Sequence, residues 1–395
     1  MNPDFTGYKK ICIFVAETFP STAGGGLNAF RFAKFLSQAS GNPVDIVCYN
    51  YNGKLPENES YGDVNINRIS YFNSNIFTKL FSLPVLVFNY LRFVLRSSIV
   101  IIYGRYLAGY ELIIFFSLLL KKKIVFRSTL LYDDDINTIL SNGNLVLKHL
   151  RTFLFKRLSL YFAINTTFAE IWGNKFGANK LFGHSQGVDT DFFEPADKKK
   201  FSEVSVQLNI KDNIPIILSA GILIERKGYR KIFDQLAQVQ QSFVYLIAGV
   251  YQEEVAHRSS SDELKEMAEL KKYGEQLLGD KLILLGKCLD ILPYYNLADI
   301  FIHGSLIEGT PNVILEAMSC QLPVISYAFP GAEYIIKNHE NGRLISDFNQ
   351  LSTVVSELII DKNKRESYAL NARRSMVNFH SMQSLSDKLL QKLYA

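Results

Sequence analysis

Three observations predict an α/β protein of two domains, each built on a parallel sheet. Short apolar runs suited to buried strands alternate with segments of helical periodicity, as parallel strands joined by helical crossovers require. The chain has 395 residues, a length that suits two domains of ordinary size. Apolar residues make up 48% of it, so each half can bury a substantial core.

Taken in order, Lys10–Glu17 reads as a buried strand with charged flanks. A loop follows that contains Gly24-Gly25-Gly26, where the missing side chains let a ligand approach the backbone, and then a helical pattern through Phe30, Ala33, Phe35 and Leu36. Gly24, Gly26 and Ala29 formally satisfy the dinucleotide fingerprint. The strand-to-glycine loop is too long for it, however, and the second strand, Val44–Tyr49, ends in Tyr-Asn-Tyr-Asn without a ribose-binding acid. Further strand-like runs are Asn65–Tyr71, Ile99–Tyr103 and Ile124–Arg127, separated by helical patterns at Phe77–Leu95 and Tyr110–Leu119. The loop after Ile124–Arg127 carries Asp133-Asp134-Asp135, formally a metal-binding DxD, which as a run of acids in a polar loop reads as solvated. A basic helix at Leu147–Leu160, a strand at Tyr161–Asn165 and a helix at Thr167–Phe176 complete the first half. In the second half, strands are expected at Ile214–Ala220, Phe243–Gly249 and Ile283–Leu285, with a charged helix across Glu253–Gly279 and helices from Ser352 onward.

Net charge is +5, but it is unevenly spread. Between Ile76 and Leu160 there are twelve Lys and Arg against the four acids Glu111, Asp133, Asp134 and Asp135. Phe77, Phe81, Leu83, Phe88, Leu91, Leu95, Phe153 and Leu154 are interleaved with these cations. Two readings fit: helices lying on an anionic membrane surface, or core-packing helices with a basic outer face. No nucleic-acid-binding motif accompanies the patch, so no nucleic-acid partner is expected.

The most informative stretch is Phe301–Gly331. A strand, Asp299–His303, leads into a loop with Glu308-Gly309 at its tip; Thr310-Pro311 reads as an N-cap and first helical residue. The helix Asn312–Cys320 places Ile314, Ala317 and Met318 on one face with Glu316 on the other, and Leu322–Tyr327 reads as the next strand. Two carboxylates therefore flank a helix N-terminus whose amides and dipole suit a phosphate, while the carboxylates suit sugar hydroxyls. Glu308, Gly309, Pro311, Asn312, Glu316, Ala317, Pro323 and Val324 all fall in register with E-G-x-P-N-V-x-L-E-A-M-x-C-x-x-P-V-I. The segment thus resembles the Glu-x7-Glu signature of glycosyltransferase family 4, the retaining glycosyl transferases of group 1.

The resemblance extends to Gly187-Val-Asp189 with Phe193 and Pro195, to Lys227-Gly228, and to Gly331, Glu333, Asn341 and Gly342. Gly24–Gly26 is similar to the family's glycine-rich loop near the donor phosphates. Three departures stand out: Gln186 replaces an Asn, Ile222 replaces an Arg of the phosphate-binding motif, and the usual histidine after the strand at Ile124–Arg127 is missing. The family implies a GT-B fold, two Rossmann-like domains with parallel sheets facing across a cleft, here 1–186 on the acceptor side and 187–375 on the donor side. A last helix in 376–395 would cross back to the first domain. It implies retaining, metal-independent transfer from a nucleotide sugar, without a cofactor, with domain closure excluding water. The donor site implied comprises Gly25, Gly26, Arg226, Lys227, Glu308, Gly309, Thr310, Pro311, Asn312, Val313 and Glu316. In it Glu316 would bind the ribose, Glu308 the sugar, and Lys227 with the amides of Gly309–Asn312 the diphosphate. Arg226 stands in for the missing cation, and Arg127 is the residue nearest the place of the missing histidine, so the catalytic set is Glu308, Lys227 and Arg127.

Cys12, Cys48, Cys288 and Cys320 have no metal-like spacing and read as reduced core residues. No cleavage pattern and no run of about 20 apolar residues is present, which predicts a cytoplasmic protein, at the inner face of the membrane if its saccharide acceptor is lipid-linked. The competing class is a non-catalytic nucleotide- or glycan-binding protein on a membrane surface, with the same fold.

Overall fold

The computed structural model describes residues 10–20, 24–50, 55–70, 76–106, 109–249 and 261–395, with only the backbone of 76–83. Ser21–Ala23 of the glycine loop, Tyr71, residues 253–260 of the charged helix and the side chains of Phe77, Phe81 and Leu83 lie outside the described residues. The chain divides into two compact units, 1–187 with 382–395, and 188–381.

The first unit holds an eight-stranded sheet: β1 (Ile11–Val15), β2 (Val44–Tyr49), β3 (Asn58–Tyr61), β4 (Val64–Ile69), β5 (Ile99–Tyr103), β6 (Lys123–Arg127), β7 (Leu160–Ala163) and β8 (Leu181–Gly183). Its order is β3-β4-β2-β1-β5-β6-β7-β8, all parallel except for the β3–β4 hairpin. The central strands β1 and β5 are buried at every position, which is why they read as unbroken apolar runs. The last helix, Met382–Tyr394, belongs to this unit, where Leu385, Leu389, Leu390 and Leu393 join the core and the helix packs against Gly24–Ser40.

The second unit holds β9 (Ile216–Ala220), β10 (Val244–Ala248), β11 (Leu282–Gly286), β12 (Ile300–His303), β13 (Val324–Tyr327) and β14 (Arg343–Ile345) in the order β11-β10-β9-β12-β13-β14, all parallel. This is the doubly wound arrangement, in which strand order reverses between β9 and β12. Alternation along the strands feeds two cores: Leu218, Leu246 and Phe301 face one, Ile217, Ile247, Ile300 and Ile302 the other.

Several elements escape the sequence pattern. Strand β3, Asn-Glu-Ser-Tyr, is an exposed edge strand with no apolar face to betray it. Strand β8 has three residues, and the helix Ile136–Ser141 has six, both too short to display a period. Two expectations are corrected. Gly24–Gly26 opens the helix Gly24–Ser40 rather than lying in a loop. Of the acids Asp133–Asp135, only Asp133 is exposed, because the other two satisfy backbone donors. Asp134 accepts from the amides of Thr129 and Leu130 and from the Thr129 hydroxyl, and burial pushes its carboxyl up to about 7. Asp135 caps the helix that follows, accepting from the amides of Asn137 and Thr138.

Candidate active site

In a doubly wound sheet the loops at the carboxyl ends of the strands flanking the reversal form a natural binding crevice. In the second unit these are the loops after β9 and β12. The first runs through Gly221, the short turn Glu225–Lys227 and Gly228 into the helix Tyr229–Leu236. Gly228 is left-handed at φ 75°, and a Cβ there would stand 2.3 Å from the Gly304 carbonyl oxygen, so glycine alone lets the two loops touch.

That contact brings together residues some eighty positions apart. Glu308 Oε1 accepts from the Lys227 ammonium, from Arg226 Nη1 at 3.1 Å and from Ser305 Oγ at 3.1 Å. Arg226 also donates to the Ile307 carbonyl at 3.2 Å. Both cations reach Glu308 from adjacent positions in the 3-10 turn Glu225–Lys227. Burial opposes ionisation of Glu308, but Lys227 and its neighbours outweigh it and hold the carboxyl down at about 2. Ser305 escapes sequence reasoning, as a serine three residues before a glutamate carries no distinctive signal.

His303, at the carboxyl end of β12, adjoins this cluster. It is buried, its ring lies 5.9 Å from that of Phe329, and Nε2 has no hydrogen-bond partner. Burial, aided by Lys227, lowers its pKa to about 3, so it is neutral across the physiological range.

The following helix is Asn312–Ser319, and its N-cap is Pro311 (φ −68°, ψ 121°) without a side-chain cap bond. This corrects the expected cap at Thr310: the extended ψ of Pro311 delays the helix by one residue. Thr310, Gly309 and Pro311 are buried, whereas Asn312 and Val313 are partly open. Glu316 is buried on this helix, not on an open face, and accepts from the Tyr295 hydroxyl at 3.0 Å through Oε2. Tyr295, twenty-one positions away, is a partner that spacing could not reveal. Gly331 closes the other side, since a Cβ there would lie 1.6 Å from the Gly309 carbonyl oxygen.

Other expected site residues fall in the first unit. Gly25 has open space where a Cβ would be, whereas a Cβ on Gly26 would lie 2.6 Å from the Glu17 carbonyl oxygen, so Gly26 is required for close packing against β1's exit. Arg127 has no open face in the folded chain, and its Nε and Nη1 are without a hydrogen-bond partner. It is fully buried at the end of β6, its guanidinium 4.4–4.9 Å from the ring centres of Phe162, Tyr103 and Phe32, and it donates to the Gln186 carbonyl at 3.0 Å. Cation–π contact, rather than a carboxylate, accommodates this charge. His184 is likewise buried, donating from Nδ1 to the Ser185 carbonyl at 3.2 Å, and burial lowers its pKa to about 4.

Residues 200–375 match the sequence pattern of the family Glycosyl transferases group 1. The lipopolysaccharide core biosynthesis glycosyltransferase LpsE of Rhizobium meliloti is 23% identical over 189 residues, 47% of this chain and 52% of that protein. The UDP-Gal:alpha-D-GlcNAc-diphosphoundecaprenol alpha-1,3-galactosyltransferase of Escherichia coli is 27% identical over 210 residues, 51% of each chain. The chain spans about half the length of the curated relatives it matches. Among solved structures, Anabaena HepE in complex with UDP and glucose superposes with a TM-score of 0.75, at 18% identity, over 98% of this chain and 100% of its own. The fold is GT-B, and residues 200–375 carry the sequence pattern of the glycosyl transferases of group 1.

Proposed function

We infer that this protein moves a hexosyl group from a nucleotide sugar to a lipid-linked saccharide acceptor, with retention of configuration, in the synthesis of a cell-surface polysaccharide or glycoconjugate. It works without a metal or cofactor, in the cytoplasm at the inner face of the membrane. The observation that carries this reading is the convergence of Lys227, Arg226 and Ser305 on Glu308, at the reversal of strand order and directly before the helix bearing Glu316. The relatives support the lipid-linked acceptor, since one is named for a diphosphoundecaprenol substrate.

The chemistry follows from charge. As the bond between sugar C1 and the diphosphate oxygen breaks, negative charge grows on the departing nucleoside diphosphate. Lys227, Arg226 and the N-terminus of helix Asn312–Ser319 meet that charge with groups already fixed in place, so little reorganisation is needed. Glu308 orients the sugar and holds the two cations in register. Glu316, fixed by Tyr295, accepts from the ribose hydroxyls.

Thermal shift against UDP, GDP, ADP and their sugars tests the reading, with wild type and Glu316→Ala side by side. One nucleotide should raise the melting temperature, as expected for a ligand that binds only the folded state, and Glu316→Ala should abolish the rise. No shift with any nucleotide would refute the donor site. Proton NMR of the product then decides whether the anomeric configuration is retained.

A further inference from the structure

Beyond the transferase reading, the first unit presents a face that its own core does not cover. Three helices lie side by side: 76–96, 110–119 and 145–155. Lys122 Nζ donates to the Leu95 carbonyl at 3.2 Å, tying the exit of the second helix to the end of the first. Arg151 Nε bonds Glu111 Oε1 at 2.7 Å, tying the third to the second. These bonds fix the three helices against one another.

Large apolar side chains stand exposed on all three: Phe88 at 67%, Leu119 at 67%, Val146 at 75% and Phe153 at 52%, along with Val85, Leu95, Phe115, Leu145 and Leu150. On the first helix, Val85, Phe88, Arg92, Leu95 and Arg96 recur at helical spacing. On the third, Val146, Leu150 and Phe153 do the same, and the guanidinium of Arg157, in the turn that follows, sits 3.5 Å above the Phe153 ring. Only Leu154 and Phe155 of that helix are buried, so its apolar residues mostly serve no internal core. The first two helices also pack into the core, through Leu86, Tyr90, Phe93, Val94, Ile113 and Ile114, so their exposed apolar residues form a second face.

Charge identifies the partner. The three helices contain one acid, Glu111, and it is paired with Arg151. Arg92, Arg96, Lys121, Lys123, Lys148, Lys156 and Arg157 are all exposed around the apolar residues. Another protein's apolar patch needs no such surplus of one sign. Lipid headgroup phosphates above an acyl boundary match both features at once. Among the described residues no helix is long and apolar enough to cross a membrane, so the contact is interfacial. We propose that the face formed by Phe88, Leu95, Phe115, Leu119, Leu150 and Phe153, ringed by these cations, docks on an anionic bilayer surface.

The test is co-sedimentation of the full chain with vesicles of phosphatidylcholine alone or mixed with phosphatidylglycerol, at low and high salt. Wild type should sediment with the anionic vesicles at low salt and be released by salt. The triple variant Arg92→Gln/Lys148→Gln/Lys156→Gln should bind about a hundredfold more weakly, from about fivefold per cation. Phe88→Ser/Leu150→Ser/Phe153→Ser should lose at least tenfold while keeping the wild-type urea midpoint, because exposed residues contribute little to folding. Failure of wild type to sediment, or unchanged binding by both variants, overturns the proposal. So does a concentration-dependent dimer that the serine variant abolishes, which would give the face to a second copy. The nucleotide shift is read separately, so loss of the donor site and loss of membrane docking are distinguishable.

Discussion

At the scale of single residues, the site depends on Glu308 accepting from three donors at one oxygen. Glu308→Gln keeps the shape but removes the charge that holds Lys227, which then loses its carboxylate partner. We expect kcat to fall about 10²- to 10³-fold. Lys227→Met should cost roughly 2 kcal/mol in urea unfolding, below the range for a wholly buried pair because both side chains retain some exposure. The double variant should be little worse than either single one, since one interaction cannot be lost twice. Additive losses would show that the two side chains act separately.

At the scale of elements, glycines set the distances between loops at the carboxyl edge of the second sheet. Besides Gly228 on Gly304 and Gly331 on Gly309, a Cβ on Gly249 would stand 1.8 Å from the Gly221 carbonyl oxygen. These are backbone contacts, which cannot yield as a side-chain tip can. Gly331→Ala should therefore displace the Glu308–Pro311 loop, lowering stability by about 2 kcal/mol and weakening nucleotide binding together. Gly25→Ala is the contrasting case. It lies in a helix with open space at the Cβ position, so stability should stay level or rise by about 0.5 kcal/mol. A drop in activity from Gly25→Ala without loss of stability would mean that a ligand approaches that backbone.

At the scale of the whole molecule, the two units should respond differently to acid. In the second, unfolded His303 takes a proton below its usual value near 6.5, whereas the folded one resists until about 3. The unfolded state thus binds more protons in this window, and stability falls as pH falls, by up to about 1.4 kcal/mol per pH unit. In the first, His184, lowered to about 4, acts in the same direction. Asp134, raised to about 7, opposes it, because the folded state holds a proton that the unfolded state has released. Scanning calorimetry between pH 6.5 and 4.5 should show one transition moving down and another nearly still. His303→Leu should flatten the moving one, and at neutral pH should cost little, as it removes a buried nitrogen with no partner.

The buried central strands of both sheets and the Glu308–Glu316 segment were legible in the sequence for a physical reason. Strands buried on both faces are unbroken apolar runs, and a strand–loop–helix unit with a glutamate at each end is local in the chain. Legible too was the surplus of cations between Ile76 and Leu160, because composition survives any fold. Tertiary structure alone decided which side chains meet. Arg226 and Lys227 reach Glu308 only because β9 and β12 are neighbours and Gly228 lets their loops touch. Arg127 lies enclosed by Phe32, Tyr103 and Phe162, three residues that come together only when the sheet and its covering helix assemble. The same holds for Phe88 and Phe153: their spacing suits either a core or a bilayer, and only packing shows that they remain outside the core.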